Sequence, residues 1–319
     1  QRADPYIYKH IDGYYYFLAS VPEYDRIEIR KSKTINELFK APSVIVWKKH
    51  LDGDMSELIW APEIHYIDKK WYIYFAAAPN KEVTGITFNH RMYVIECLDA
   101  DPLTGTWTEK GQIKTGWESF SLDATILQHK GKLYYIWAQE DRNVNYESHS
   151  NIYIAEMENP WTLRTKPVML TQPLLDWEIK IFWVNEGPAI LKKNGKIFLT
   201  YSASATDENY CMGMLVVNEN DDLLDPKSWK KLEKPVFKTS YKNKQYGPGH
   251  NSFTVSEDGM KDLLVYHARN YTDIEGDPLY DPNRHTRVQV IEWDKDGFPI
   301  FGEPVMDTRN VDFDSLRKK

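Results

Sequence analysis

Three carboxylic acids stand at comparable places in separate, similar segments of the sequence. Asp4, Asp123 and Glu186 lie beside small or rigid residues, in Ala-Asp-Pro, Leu-Asp-Ala-Thr and Asn-Glu-Gly-Pro-Ala, which allow a ligand to approach closely. A single acid at the start of a strand is ordinarily a solvated residue or a turn former. Three acids at one place would repel one another and cost stability, so their coincidence favours chemistry over structure.

The chemistry that such a group of acids serves is glycosidic bond cleavage. This reaction generally needs one carboxylic acid to protonate the leaving oxygen and one carboxylate to activate water or attack the anomeric carbon. A nearby like charge raises the pKa of a carboxyl group and keeps the acid protonated near neutral pH. A third carboxylate therefore has a physical role.

The acids are carried by a repeat of about 60 residues. Each copy has an apolar run, a turn and an aromatic-rich return, and four of the five turns are dipeptides that favour tight hairpins. The five predicted hairpins cover residues 4–20, 61–77, 123–139, 186–203 and 250–268. Further strands are expected over 91–97, 151–157, 212–217 and 287–293, with short fourth strands over 42–47 and 235–238.

The repeat predicts an all-β fold, a five-bladed β-propeller that forms a single domain over residues 1–319. A two-domain β-sandwich is the alternative, but it does not predict five similar hairpins spread evenly along the chain. In a propeller the innermost strands line a central channel, so equivalent positions of different blades converge. The aligned positions are Asp4, Ala61, Asp123, Glu186 and His250.

Composition excludes some classes of partner. The chain has 47 acidic and 40 basic residues, and the basic residues are scattered, which argues against nucleic acid. No apolar run approaches the roughly 18 residues of a membrane span. Cys97 and Cys211 have no metal-ligand spacing, and a disulfide between them is possible but not favoured. The compartment stays open: we expect an extracellular or periplasmic protein with its signal peptide removed, and a cytoplasmic one is the alternative.

In their order and spacing the motifs resemble glycoside hydrolase family 43, five-bladed propellers that include α-L-arabinofuranosidases, β-xylosidases and arabinanases. The matching motifs are Ala3-Asp4-Pro5-Tyr6, Trp60-Ala61-Pro62-Glu63, Ser121-Leu122-Asp123-Ala124-Thr125, Asn185-Glu186-Gly187-Pro188-Ala189, Gly247-Pro248-Gly249-His250-Asn251, Arg287 and the closing Trp293-Asp294-Lys295-Asp296-Gly297-Phe298-Pro299. The resemblance implies that Asp4 is the general base, Glu186 the general acid, and Asp123 the group that tunes and orients the acid. It also implies inversion, which predicts a carboxyl separation of about 6.5–9.5 Å between Asp4 and Glu186.

The resemblance also implies roles for supporting residues. His250 is similar to a channel histidine that helps to hold a structural calcium or sodium ion, mostly through waters; a hydrogen-bonded core histidine is the alternative. No cofactor is expected for catalysis. Arg287 is expected to approach the substrate or Asp4, with a surface ion pair as the alternative. Trp60 and Phe120 precede or lie close to an aligned channel position, so they are candidate sugar-stacking walls, Trp60 the more so for its motif match, and core packing is the alternative for each.

Glu63 alternates to the same face as Ala61, so it is a candidate for a hydrogen bond to a sugar hydroxyl, and ion pairing inside the propeller is the alternative. The resemblance favours release of α-L-arabinofuranosyl units from arabinan or arabinoxylan-type polysaccharides. A β-xylosidase and a sugar-binding propeller without catalysis remain alternatives. Leu-Asp-Ala in place of Arg-Asp-Pro argues against the related fructosidases.

Overall fold

The computed structural model describes residues 2–144, 148–281 and 283–307. Five antiparallel sheets follow one another along the chain as the blades of a β-propeller, which confirms the predicted fold class. Each of the first four blades has four or five strands, and the fifth blade has three. Some consecutive strands are joined by short connections and others by larger loops. That residues 1–319 form a single domain stays a prediction, because the last twelve residues lie outside the described ranges.

Within each blade the chain runs from the innermost strand outwards. Blade one contains Ala3–Lys9, Tyr15–Ser20, Arg26–Ser32 and Val44–Lys48. Blade two contains Glu57–Ile67, Lys70–Ala78, Arg91–Cys97 and Trp107–Gln112. Blade three contains Ser121–His129, Lys132–Gln139 and Asn151–Asn159, the last paired with both Thr162–Leu163 and Val168–Thr171. Blade four contains Asn185–Lys193, Lys196–Ala203, Cys211–Asn218 and Lys230–Lys231. Blade five contains Tyr246–Val255, Asp262–Arg269 and His285–Val290.

A few short elements lie outside the blades. Val83–Thr84 pairs with Thr87–Phe88, and Glu292–Trp293 pairs with Pro299–Ile300. Among the residues that the structure describes, the helical elements are the single turns Ile35–Leu38 and Pro226–Ser228. No helix in the described ranges combines the length and the apolar character that a membrane crossing requires.

The core is divided among the gaps between blades. One apolar cluster joins blades one and two, a larger one joins blades two, three and four, and two more join blade four to five and five to one. Because both faces of a middle strand pack on a neighbouring blade, its side chains are buried without alternation, as in Trp71–Ala78. Cys97 and Cys211 are buried and free.

The predicted hairpins are present, and two of the four turns predicted to be tight have the backbone of a type I′ turn. Lys130-Gly131 and Asn194-Gly195 both have positive φ at each residue, which the tight type I′ turn requires. The predicted third strands over 91–97, 151–157 and 212–217 are also present, whereas the one predicted over 287–293 ends at Val290, and Glu292–Trp293 pairs with Pro299–Ile300 instead. The fourth strand of blade four is Lys230–Lys231 rather than 235–238, where Phe237 makes an isolated bridge to Met212.

Candidate active site

A pocket of about 180 Å³ opens at the end of the channel where the innermost strands begin. Six of the residues that the sequence singled out line it: Asp4, Trp60, Phe120, Asp123, Glu186 and His250. The other residues of its wall come from all five blades. They are Tyr24, Ile86, Thr87, Phe88, Leu122, His149, Phe182, Val184, Ser204, Thr206, Asp277, Leu279 and Arg284. The three acids therefore meet in one place.

Each innermost strand has a residue of left-handed backbone at an equivalent place near its start, at an irregularity of the strand pairing. These residues are Asp4 (φ 54°), Ala61 (φ 45°), Asp123 (φ 50°), Gly187 (φ 54°) and His250 (φ 43°). Leu58 and Gly247 are additional left-handed residues in blades two and five. A residue with a side chain pays about 1–2 kcal/mol for this conformation, and bulges of this kind redirect side chains near active sites. In blade four the equivalent residue is Gly187, so the alignment that placed Glu186 at this position was wrong by one residue.

The bulge N–H groups are released from the sheet and bind neighbouring blades instead. Ala61 N donates to Ser20 Oγ at 2.8 Å, and His250 N donates to Ser202 Oγ at 2.7 Å. Gly187 N donates to Asp123 Oδ2 at 3.0 Å. These bonds satisfy buried donors, and they stabilise the strained backbone that aims the functional side chains into the pocket.

Asp4 is held as a carboxylate. Its Oδ2 accepts a 2.5 Å hydrogen bond from Ser20 Oγ, and its Oδ1 lies 3.3 Å from His250 Nδ1 and 3.4 Å from Arg284 Nη1. Burial alone would raise the pKa of Asp4. The positive charges of His250 and Arg284, with the Ser20 bond, outweigh burial and lower that pKa to about 2.

His267 supports the backbone of Asp4 rather than its charge. Asp4 N donates to His267 Nδ1 at 3.1 Å, so this nitrogen carries the lone pair. Burial, together with the nearby Arg284 charge, lowers the pKa of His267 well below its usual value and keeps the ring neutral. The 3.5 Å approach of Nδ1 to Asp4 Oδ1 is therefore not an ion pair.

In contrast to Asp4, both Asp123 and Glu186 have raised pKa values. Burial, and then the nearby charges of Glu186 and Asp4, raise the pKa of Asp123 to about 8, against the pull of His250. Burial also raises the pKa of Glu186, although Tyr210 Oη donates to its Oε1 at 2.7 Å and so favours the charged form. At neutral pH this pair of acids retains a proton, while Asp4 does not.

His250 lies between the carboxylates, with Nδ1 at 3.3 Å from Asp4 and 3.7 Å from Asp123. Burial lowers its pKa, but the Asp123, Asp4 and Glu186 charges outweigh this and raise it above the usual value. A metal ligand must be a neutral imidazole. In the described parts of the chain, no three His, Cys, Asp or Glu side chains form a metal-binding group. These residues do not fit an ion bound directly by the protein, and a water-bridged ion at His250 stays a prediction.

Aromatic side chains form one wall of the pocket. Trp60 stacks on His90 with ring centroids 3.8 Å apart, and Phe88 meets the Trp60 ring edge-on at 5.5 Å. Phe120 packs edge-on against His90 at 5.7 Å. Trp60 and Phe120 are 8% exposed, so core packing and pocket lining are combined in the same residues.

Two predicted residues lie elsewhere. Arg287 pairs with Asp307 at 3.0 Å and donates to the carbonyls of Ala268 and His285, which places its guanidinium outside the pocket lining. The prediction that Arg287 reaches Asp4 was wrong, because the neighbouring Arg284 takes that place.

Glu63 is also outside the pocket lining. Its Oε2 lies 3.0 Å from His65 Nε2 and the carboxylate is buried, so Glu63 has a partner inside the propeller, in line with the alternative to a sugar contact. The sequence reasoning missed Arg284, Tyr210 and His267. The only available signal was that two arginines lie three residues apart after the fifth hairpin, which gave no reason to choose Arg284.

Comparisons with known proteins agree on the family. The sequence model described as glycosyl hydrolases family 43 matches residues 1–299. The chain is 57% identical over 307 residues to a Streptomyces avermitilis protein named extracellular exo-α-(1→5)-L-arabinofuranosidase, a match that covers 96% of this chain and 63% of the relative. It is 52% identical over 307 residues to α-L-arabinofuranosidase 43 of Humicola insolens, with the same coverage.

Among solved structures, an α-L-arabinofuranosidase from Lactobacillus brevis superimposes with a TM-score of 0.95 and 63% identity. This match covers 97% of the present chain and 96% of that chain. The chain spans about 63% of the length of the first two curated relatives. The family model and these identities establish that the chain belongs to family 43 of the glycosyl hydrolases.

Proposed function

We propose that this protein is an inverting α-L-arabinofuranosidase that releases terminal arabinofuranosyl units from arabinan or arabinoxylan-type polysaccharides. One observation carries the proposal: a single pocket holds a carboxylate whose pKa is lowered to about 2 and two acids whose pKa values are raised. Opposite shifts within one site are typical of a base and an acid acting together. Relatives that are 52–63% identical carry arabinofuranosidase names.

In the proposed reaction, Asp4 takes a proton from a water molecule while the water oxygen attacks the anomeric carbon. The bond between that carbon and the glycosidic oxygen breaks, its electron pair goes to the oxygen, and Glu186 supplies the proton that the oxygen needs. Asp4 ends protonated and Glu186 ends ionised, and exchange with solvent restores both. Tyr210, which donates to Glu186 Oε1, stabilises the carboxylate that Glu186 becomes.

Asp123 acts on the acid through position and charge. Its Oδ2 accepts from Gly187 N, the residue directly after Glu186, and so fixes the start of the strand that carries the acid. Each of the two acids disfavours ionisation of the other, which keeps a proton available for the leaving oxygen. We also place this reaction outside the cell, since two of the relatives are named extracellular enzymes.

The substrate is tested by comparing an aryl α-L-arabinofuranoside with an aryl β-D-xyloside at equal concentration. We expect hydrolysis of the arabinofuranoside, and proton NMR of the first-formed sugar should show the β anomer because the configuration inverts. A clear preference for the xyloside would transfer the assignment to a β-xylosidase. A first-formed α anomer would contradict inversion, and binding without hydrolysis of either compound would indicate a sugar-binding propeller.

Substrates with different leaving groups distinguish the proposed roles of Asp4 and Glu186. We expect Glu186→Ala to lower kcat about 10²–10⁴-fold on arabino-oligosaccharides and much less on an aryl substrate whose leaving group needs no proton. Asp4→Asn should lower kcat on both. Glu28→Gln is a matched control, because Glu28 is a buried carboxylate paired with Arg26 in blade one, away from the pocket. Equal losses on both substrates for Glu186→Ala would remove its assignment as the acid.

A further inference from the structure

We propose that Arg269 is a positioning residue that clamps two segments of the pocket wall together and so sets how firmly the pocket closes on a terminal sugar. The inference rests on the proposed function for its effect on substrate, but the clamp itself is a statement about the fold. Arg269 is the last residue of the middle strand of blade five, and it is 2% exposed. It does not line the pocket.

The guanidinium of Arg269 makes three contacts with different segments. Nε binds Asp281 Oδ1 at 3.2 Å, Nη2 donates to the Pro278 carbonyl at 2.6 Å, and Nη1 donates to the Thr206 carbonyl. Residues 277–281 belong to the loop of blade five, whereas Thr206 follows the middle strand of blade four. Arg269 therefore bridges two blades at the mouth of the pocket.

Both bridged segments form the wall. Thr206 lines the pocket from blade four, and Asp277 and Leu279 line it from the blade-five loop on either side of Pro278. Asp281 is held further by Tyr271, whose hydroxyl lies 2.7 Å from both carboxylate oxygens. Since two of the three Arg269 contacts are to backbone carbonyls, they fix the path of the wall rather than the identity of its side chains.

The opposite side of the same loop is tied to blade one. Tyr24 Oη donates to the Leu279 carbonyl at 2.8 Å and accepts from Arg284 Nη2 at 3.3 Å, while Arg284 Nη1 reaches Asp4. A continuous chain of contacts thus runs from blade four through Arg269 and the loop to the general base. When Arg269 loosens, the Tyr24 contact still holds Arg284 near Asp4, so the effect should fall on substrate binding more than on the chemical step.

Only an arginine can make this clamp. The planar fork presents several N–H donors in fixed directions, whereas a lysine offers one flexible point charge. Arg269→Lys keeps the positive charge opposite Asp281 but loses the simultaneous carbonyl contacts. This variant therefore separates the geometry of the clamp from its charge.

The test combines hydrogen exchange with kinetics on arabino-oligosaccharides. We expect Arg269→Lys to speed amide exchange about tenfold in peptides that cover residues 277–281, and to raise KM about tenfold with a smaller fall in kcat, because an unfixed wall must be ordered on binding. Asp281→Asn removes only the charge from one contact, so it should raise the exchange rate and KM by less than Arg269→Lys does. It also provides the test if the lysine variant does not fold.

Arg287→Lys is the matched control. Arg287 lies in the same blade and also bridges a carboxylate and two carbonyls, but on residues outside the pocket lining. Unchanged exchange at 277–281 in Arg269→Lys would overturn the clamp, whatever the activity. Faster exchange throughout the propeller with KM unchanged would show a general structural role and would also overturn it. If the wild type hydrolyses no arabinofuranoside, the proposed function fails, and the exchange data still decide the clamp.

Discussion

Replacing Arg284 with glutamine should raise the pH at which the enzyme loses activity in acid. Arg284 Nη1 lies 3.4 Å from Asp4 Oδ1, and its charge is one of the causes that lower the pKa of Asp4 to about 2 against the effect of burial. Glutamine keeps a polar side chain but carries no charge. Asp4 retains His250 and Ser20 as partners in the variant.

The size of the effect follows from the distance. Two unit charges about 4 Å apart attract by about 4 kcal/mol at an effective dielectric of about 20, and about 1.4 kcal/mol corresponds to one pH unit. The loss is therefore at most about three pH units, and opposite charges at this range ordinarily shift a carboxyl by about one to three. The acid limb of the pH profile of kcat/KM should therefore move to higher pH by about one to three units.

The assay is kcat/KM on an aryl arabinofuranoside from about pH 3 to 8, a range that brackets the expected shift. A base must be ionised to work, so activity falls as the pH drops through its pKa, and the acid limb of kcat/KM reports that pKa in the free enzyme. In the wild type the limb should lie below the measured range, because Asp4 stays ionised there. In Arg284→Gln the limb should enter the range above about pH 3.

The control is Arg287→Gln, which removes an arginine of the same blade that pairs with Asp307. Its acid limb should coincide with that of the wild type. An Arg284→Gln enzyme whose activity is reduced equally at every pH would refute the reasoning, since Arg284 would then contact substrate without holding Asp4 ionised. Circular dichroism at each pH separates titration of the base from acid unfolding.

Two other substitutions probe the acid and the channel. Tyr210→Phe removes the hydrogen bond that favours ionised Glu186, so the basic limb of kcat/KM should rise by about one pH unit; an unmoved limb would mean that Glu186 is not the group titrating there. Gly187→Ala places a Cβ 3.3 Å from the His250 ring, whereas the Cβ of Gly131→Ala meets nothing within 4 Å at a similarly positive φ. The Gly187 variant should therefore lose about 1–2 kcal/mol more of the free energy of unfolding than the Gly131 variant. Equal denaturant midpoints of the two alanine variants would contradict this contact.

The blades could be predicted from the sequence because their signals are local. Turn dipeptides such as Lys130-Gly131 and apolar runs such as Trp71–Ala78 determine hairpins within about twenty residues, and their even spacing then determines the number of blades. The meeting of Asp4 with Asp123 followed from the same symmetry, since equivalent ends of innermost strands must converge.

The rest depended on contacts that no local pattern encodes. Arg284 and Arg287 both follow the fifth hairpin, and the choice between them depends on the path of the loop, which Arg269 and Tyr24 fix through backbone carbonyls. Because every residue has a backbone carbonyl, such a contact cannot be recognised in the sequence of the segment that provides the carbonyl. Glu63 likewise shares a strand with pocket residues, but its partner His65 lies deeper in the channel.

The left-handed bulges connect the proposed catalytic residues with the contacts that join the blades. Ser20 joins blade one to Ala61 of blade two and also binds Asp4, while Asp123 joins blade three to blade four. Blade four reaches His250 through Ser202, and His267 of blade five binds Asp4 N, which closes the ring.

In four of the five junctions, therefore, a hydrogen bond from a bulge N–H connects neighbouring blades, and its partner is a proposed catalytic carboxylate or a residue beside one. The bulge strain is offset by these bonds only when the blades are in place. The propeller thus positions its acids with contacts that also join its blades, so local opening at any of these four junctions should displace a proposed catalytic carboxylate or its hydrogen-bond partner.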